Sequence, residues 1–447
     1  MSDLIEGTPG PATRTGPPPV KGRWAQLSVL GGAMLVDGTE AGLVTGLFPV
    51  IRNALGLTLG SLGVLTAAGK LIGVLAAPLW VWAARRWSRK SVLVLSTGLW
   101  GVWGVAAGFS RDFTELLVFV TVLAAGYAAA QPLVSEIIGD LFDPASRGRA
   151  VGALYGALSL VGSVLGPLIG QLAGVHDGWR WGLWGVGVLN ILFGGVLLLC
   201  FRDPGRGAAE RQLADLDRAA REPRTKIDLS AVVSLFKIPS FAILLVSRLL
   251  SGHLLLSSFA VVYLVDVFGF TTQRAAVVLM PLGIGYLLGT LLGGFLADWA
   301  TRRSPRHGLP GALQGAQVAF AVLAFLGTQV HYRGIGAYAL LFCLMGVAQG
   351  VNPSLNRPMV MAVTPPELRA TAFTIYVSVF EALAWAAFGL GAGFLGQAVG
   401  LRPVFLAVLV VLMLVNGAFL TLLHLPYAKD VQRVQRELDL RRQAALA

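Results

Sequence analysis

Charge is what this chain lacks most. Only 13% of its 447 residues are Asp, Glu, Lys or Arg, while 55% are hydrophobic and the mean hydropathy is +0.71. An ordinary water-soluble enzyme carries about a quarter of its residues as charges, so that class is excluded. Cysteine is nearly absent: Cys200 and Cys343 each stand inside an apolar run, with no CxxC or CxxH partner. A disulfide framework and a zinc site are thereby excluded, and both thiols read as small buried hydrophobes. No HExxH, paired-aspartate or serine and base arrangement occurs with workable spacing, which argues against a membrane-embedded enzyme. The expectation is a non-enzyme with no cofactor and no metal. The opening MSDLIEGTPGPATRTGPPPVKG lacks the apolar core of a signal peptide and reads as a disordered cytoplasmic tail.

Apolar runs are what the chain has. A hydrocarbon core of about 30 Å needs about 20 apolar residues per helical span, and this length accommodates about twelve. Runs near 25–51, 60–84, 91–110, 114–138, 150–174 and 180–201 predict six spans, and runs near 240–264, 275–297, 310–329, 335–361, 370–397 and 402–425 predict six more. The fold class expected is an all-α integral membrane protein, twelve transmembrane helices in two pseudo-symmetric six-helix bundles. Its parts are a tail at 1–23, an N-terminal half at 24–201, a linker at 202–239, a C-terminal half at 240–425 and a second tail at 426–447. Leu213 and Leu216 predict a surface helix in the linker.

The net charge of +12 raises nucleic acid as a partner, but the basic residues fall in short clusters between apolar runs. Arg85, Arg86, Arg89 and Lys90, then Arg147 and Arg149, then Arg302, Arg303 and Arg306 all fall on one side, with both tails. The positive-inside rule makes that side cytoplasmic. A multi-pass protein of the plasma (inner) membrane is expected, a monomer whose partners are the bilayer, a small-molecule substrate and protons, and not nucleic acid.

Two internal offsets support a repeat. An offset of 221 lays AQPLVSEIIGDLFDPASRGRAVGALY over VNPSLNRPMVMAVTPPELRATAFTIY, matching Pro132 with Pro353, Pro144 with Pro365 and Tyr155 with Tyr376. An offset of 213 lays LGLT, from Leu55, over FGFT, from Phe268. Both place span n over span n+6, as parallel repeats about an axis along the membrane normal require.

With GFLADWATRR at Gly294 to Arg303, after span 8, the chain resembles the major facilitator superfamily over nearly its whole length. The matching stretch after span 2, VWAARRWSRK, has Arg85 where that family has an acid. GSVLGPLIG, Gly162 to Gly170 in span 5, resembles the GxxxGPxxG pattern of proton-coupled drug antiporters, where small residues allow close helix contact. GDLFDPASRGRA and FRDPGRGAAERQ resemble loops of Spinster-like lipid transporters, although Val122 and Tyr127 stand near that family's Arg and Glu of span 4. The resemblance implies alternating access and marks Asp298 as a gate residue.

Ionisable residues inside spans cost a few kcal/mol each and are functional candidates by default. Asp37 and Glu40 in span 1 share one helix face, and Lys70 in span 2 lies at a depth from which its stem reaches toward Glu40. The 213 offset makes His253 of span 7 the counterpart of Glu40, so the two are expected to face each other across a cavity. Asp37, Glu40 and His253 form the expected proton-coupling group. The 221 offset sets Glu136 against Arg357 at equal depth, a gate pair that forms when the cytoplasmic side closes. It also matches Gln131 with Asn352, each beside a proline, as cavity lining or as repair of a freed carbonyl. Arg248 and Glu381 lie at similar depths and either pair with each other or leave Arg248 for an anionic substrate. Lys70, Gln131, Arg248, Asn352 and Glu381 are thus the expected cavity, and Glu136, Arg357 and Asp298 the gate.

The function expected is secondary active transport by alternating access, proton-coupled export of an amphipathic or hydrophobic, lysolipid-like molecule. The alternatives are multidrug or natural-product efflux, organic-anion import, and a non-transporting membrane receptor.

Overall fold

The computed structural model describes residues 22–142, 144–205, 229–365 and 368–446. Residues 1–21 of the expected first tail and the linker helix around Leu213 and Leu216 lie outside them, and Arg23, the last residue of that tail, already begins span 1. Each apolar run becomes a helix because a backbone in hydrocarbon must satisfy its own hydrogen bonds. Twelve helices are long and apolar enough to cross a membrane. Spans 1 to 6 are Arg23–Gly46, Leu59–Arg86, Arg89–Ala107, Phe113–Leu141, Arg149–Gly174 and Gly178–Cys200. Spans 7 to 12 are Pro239–Phe268, Thr272–Arg303, Gly308–Gln329, Ile335–Val363, Thr371–Val399 and Leu401–His424. No strand occurs among the described residues. An even count returns Tyr427–Leu446, the last helix, to the side where span 1 begins, the terminal side. There Asp430 accepts a 3.0 Å hydrogen bond from the Ser240 amide and so caps the start of span 7.

The outer surface is apolar: Leu199 is 82% exposed, and Phe295, Leu75 and Leu79 are similarly bare. Such a surface is stable only against lipid. Polar side chains are instead buried between helices, among them Asp37, Glu40, Asn190, His253, Gln317, Asn352 and Asn416.

The run expected as one helix over 25–51 is broken. Span 1 ends at Gly46 and a short helix, Phe48–Leu55, follows with Pro49 in its first turn, where no amide proton is needed. Gly56, at φ +62°, ends that helix, and a Thr58–Ser61 capping box opens span 2.

Packing of the two halves differs between the two sides. On the side away from the termini one core runs through both, joining Leu43, Phe48 and Ile51 to Phe259, Tyr263 and Phe405. On the terminal side the core splits, with Leu27, Leu133 and Ile137 in one cluster and Leu244, Leu355 and Met359 in another. Spans 2 and 11 touch at Gly63, where a β-carbon would strike the Gly389 carbonyl. Spans 5 and 8 touch at Gly170 and Ala276. Gly162 and Gly166, expected at helix contacts, face open space instead, so only the last glycine of GSVLGPLIG serves close packing.

Candidate functional site

Span 1 turns its two acids into its own bundle. Glu40 is 0% exposed and accepts a 2.6 Å hydrogen bond from Asn190 Nδ2 of span 6. The Tyr127 hydroxyl of span 4 lies beside the same carboxylate. Gly104 of span 3 makes the room, since a β-carbon there would fall on Glu40 Oε1. Asp37 is buried next to Asn190 and Glu40, and neither of its oxygens has a hydrogen-bond partner within bonding distance among the described residues. Neither acid forms an ion pair among the described residues. Burying a carboxylate is costly unless something compensates its charge, so these two acids mark a candidate functional site.

Two expected partnerships with Glu40 are not observed. Lys70 turns the other way and sets its ammonium 4.2 Å from the centre of the Trp385 ring in span 11. The aromatic face stabilises the cation, and the Glu381 carboxylate of the same span 11 acts on it as well. His253 is buried in the C-terminal half with its ring edge-on to Phe320 of span 9, the centroids 5.9 Å apart. Glu40 and His253 therefore do not face each other across a cavity; each side chain is drawn into its own bundle by the packing found there.

Lys70 is exposed although it lies well inside span 2. Arg248 and Glu381 are brought together as an ion pair, with the guanidinium also 5.7 Å from the Tyr376 ring centre. Gln131 is exposed, while Asn352 is buried in the C-terminal half. The Asn352 amide donates to Ala348 O at 3.2 Å and to Gln349 O at 3.3 Å, and accepts from Gln317 at 2.5 Å. Pro353 has no amide proton to offer Gln349 O, and Asn352 supplies the missing donor. Of the two matched amides, only Gln131 is exposed.

The gate residues divide in the same way. Glu136 does not meet Arg357; its carboxylate lies 3.4 Å from Arg89 Nη1. Arg89, buried at the first turn of span 3, also pairs with Asp140 and, through Nε at 3.1 Å, with Asp203 after span 6. Three acids around one guanidinium tie spans 3, 4 and 6 together and hold Glu136 on its own half. Arg357 and Asp298 are exposed, and neither forms an ion pair with a described residue.

One pair lies outside the residues expected from the sequence. Arg52, after span 1, donates from Nη1 and Nη2 to both oxygens of Asp266, at the end of span 7, each at 2.7 Å. Of the ion pairs between described residues it alone joins the two halves, on the side away from the termini. Bidentate geometry makes it specific as well as strong. The sequence carried a signal for it: LGLT and FGFT, matched by the 213 offset, stand just after Arg52 and Asp266. Arg89 stands out in the sequence only as one arginine of a basic cluster, and Asn190, Gln317 and Asn416 are lone amides in apolar runs that carry no sequence signal.

Residues 30–389 match the family described as Major Facilitator Superfamily. The chain is 24% identical over 378 residues to "Protein spinster" of Drosophila melanogaster, covering 81% of this chain and 60% of that protein. It is 27% identical over 263 residues to the "3-(3-hydroxy-phenyl)propionate transporter" of Escherichia coli strain K12, covering 58% of this chain and 60% of that one. The chain thus spans about three fifths of the length of each relative. A bacterial homologue of human Spinster, solved in an inward-facing and unoccupied conformation, superposes with a TM-score of 0.68 at 21% identity, covering 94% of this chain and 99% of that chain.

Proposed function

The chain belongs to the Major Facilitator Superfamily, and from that premise we propose that it is a secondary active transporter, exporting an amphipathic or hydrophobic small molecule in exchange for protons. The observation that carries this reading is the unequal closure of the two halves. Arg52–Asp266 and a continuous apolar core seal one side, while on the other the cores are separate and Glu136 and Arg357 are apart. We place the terminal side in the cytoplasm, because Arg85, Arg86, Arg302, Arg303 and Arg306 cluster there. The conformation is then cytoplasm-open. Closing that side brings Glu136 and Arg357 together as Arg52 and Asp266 part.

Coupling is assigned to the Asp37 and Glu40 pocket, with Asn190 and Tyr127 as its polar neighbours. His253 is the group of the other half that takes part. Lys70, Arg248, Glu381 and Gln131 line the substrate path. The loop motifs GDLFDPASRGRA and FRDPGRGAAERQ, which resemble those of Spinster-like lipid transporters, support a lysolipid-like substrate. A second reading, transport of an organic anion, is favoured by the accessible cations Lys70 and Arg357, and the hydroxyphenylpropionate transporter is a relative of matching kind.

Purified protein in proteoliposomes under an imposed pH gradient tests the proposal. Lysolipids, cationic drugs and aromatic carboxylates are supplied in turn, and proton movement is followed. One class is expected to drive proton flux in the wild type, and Glu40→Gln is expected to abolish that flux while retaining ligand binding. Binding without movement of either species would make the protein a receptor and end the transport reading.

A further inference from the structure

The acid pocket has a counterpart in the other half. Under the 213 offset Glu40 maps to His253, and under the same offset Gly104 maps to Gln317. In the N-terminal half the large group comes from span 1 and the space for it from a glycine of span 3. In the C-terminal half span 9 supplies a long amide where span 3 has glycine. The last spans contribute alike, Asn190 from span 6 and Asn416 from span 12. Gly417, next to Asn416, packs against Gln317: a β-carbon on it would lie 3.7 Å from the glutamine Cβ.

His253, Gln317 and Asn416 are at most 3% exposed. Gln317 Nε2 donates to Asn352, which leaves Gln317 Oε1 without a protein partner. His253 Nδ1 and both polar atoms of the Asn416 amide are also unmatched. Buried polar atoms are almost always hydrogen-bonded, and four unmatched ones on three neighbouring spans mark a place where something else bonds to them.

The backbone is irregular at the same level. The first helix of span 7 stops at Leu249, and a 3-10 turn, Gly252–Leu255, leads into the helix Leu256–Phe268. His253 lies in that turn, which packs on the Leu412–Phe419 helix of span 12. Gly252 allows this: a β-carbon there would strike the carbonyl of Val408, inside the π-helical segment Leu406–Val411. Interrupted helix at membrane depth persists only where it is buried in protein or borders water.

We infer that the C-terminal half holds a closed pocket on His253, Gln317 and Asn416, at the break in span 7, whose ligand is a small cluster of water. Charge decides between ligands. The pocket has no carboxylate, and the charged group of its own span, Arg248, is a cation already paired with Glu381, so a metal ion would enter against repulsion. An anion would meet the oxygens of Gln317 and Asn416. Water alone both donates and accepts, and suits a neutral, mixed set. The two halves thus keep one architecture, with carboxylates in the first pocket and water on the His253 imidazole in the second, in the span that also bears Asp266.

Two measurements on purified full-length protein test this without reference to transport, so their failure leaves the proposed function standing. The first is thermal unfolding of Asn416→Leu, which keeps the volume and removes the amide. The variant is expected to unfold a few degrees lower, because water is displaced and His253 and Gln317 lose their partners. An unchanged or raised midpoint would mean that the pocket is dry. The second is a map of the wild type at a resolution that shows ordered solvent, which keeps the test decisive where Asn416→Leu fails to fold. Density within hydrogen-bond distance of Asn416 and His253 is expected. Side chains bonded directly to one another, with no density between them, would overturn the inference.

Discussion

Single side chains carry the electrostatics of this protein, and each is held by a neighbour of unusual size or charge. Gly104 is the first case. Its missing β-carbon is the space that the Glu40 carboxylate occupies, so Gly104→Ala should displace Glu40 from Asn190 and lower stability by about 1–3 kcal/mol, the usual range for overpacking. Thermal unfolding in detergent measures that loss, and a wild-type midpoint would show that the carboxylate has room to spare. Arg89 is the second. Replacing it with glutamine leaves Glu136, Asp140 and Asp203 without the guanidinium between them, and breaking a buried pair of this kind costs about 3 kcal/mol. Arg89→Gln should therefore unfold well below the wild type, whereas Arg85→Gln, at an exposed position four residues earlier, should not.

At the scale of helices, the contact of spans 2 and 11 depends on Gly63 and Gly389 lying backbone to backbone. Gly63→Leu should hold those spans apart and favour the conformation open on the side away from the termini. Alkylation of a cysteine placed at Thr66, between the two spans, reports on this: faster labelling in Gly63→Leu is the expected result, and an unchanged rate would show that the contact does not govern closure. This scale is also where the sequence was most and least legible. Twelve apolar runs predict the twelve helices, because hydropathy over about 20 residues is set by the bilayer and not by neighbouring helices. The direction in which each helix turns its polar face is set by packing, which hydropathy does not encode. Arg248 and Glu381, placed at similar depths by counting residues, do meet. Glu40 and His253, matched by the repeat, turn into separate bundles, since equivalence under an axis fixes depth and not contact. Lys70 shows the same limit: its depth was readable, but its partner, Trp385, comes from a span more than 300 positions away.

For the whole molecule, the relation of the two halves is the property on which function rests. The apolar core is continuous on one side and divided on the other, and the bidentate Arg52–Asp266 pair stands on the continuous side. A molecule that transports must exchange this arrangement for its mirror in the membrane plane, with the two sides moving in opposition. Distances between spin labels at Asn53 and Val267 on one side, and at Ser135 and Met361 on the other, measure that directly in protein freed of Cys200 and Cys343. Addition of a transported substrate under a pH gradient should lengthen the first distance and shorten the second, and Arg52→Asp should produce the same opposed shift without substrate. Two distances that stay fixed, or that lengthen together, while substrate is still moved would contradict alternating access in this protein.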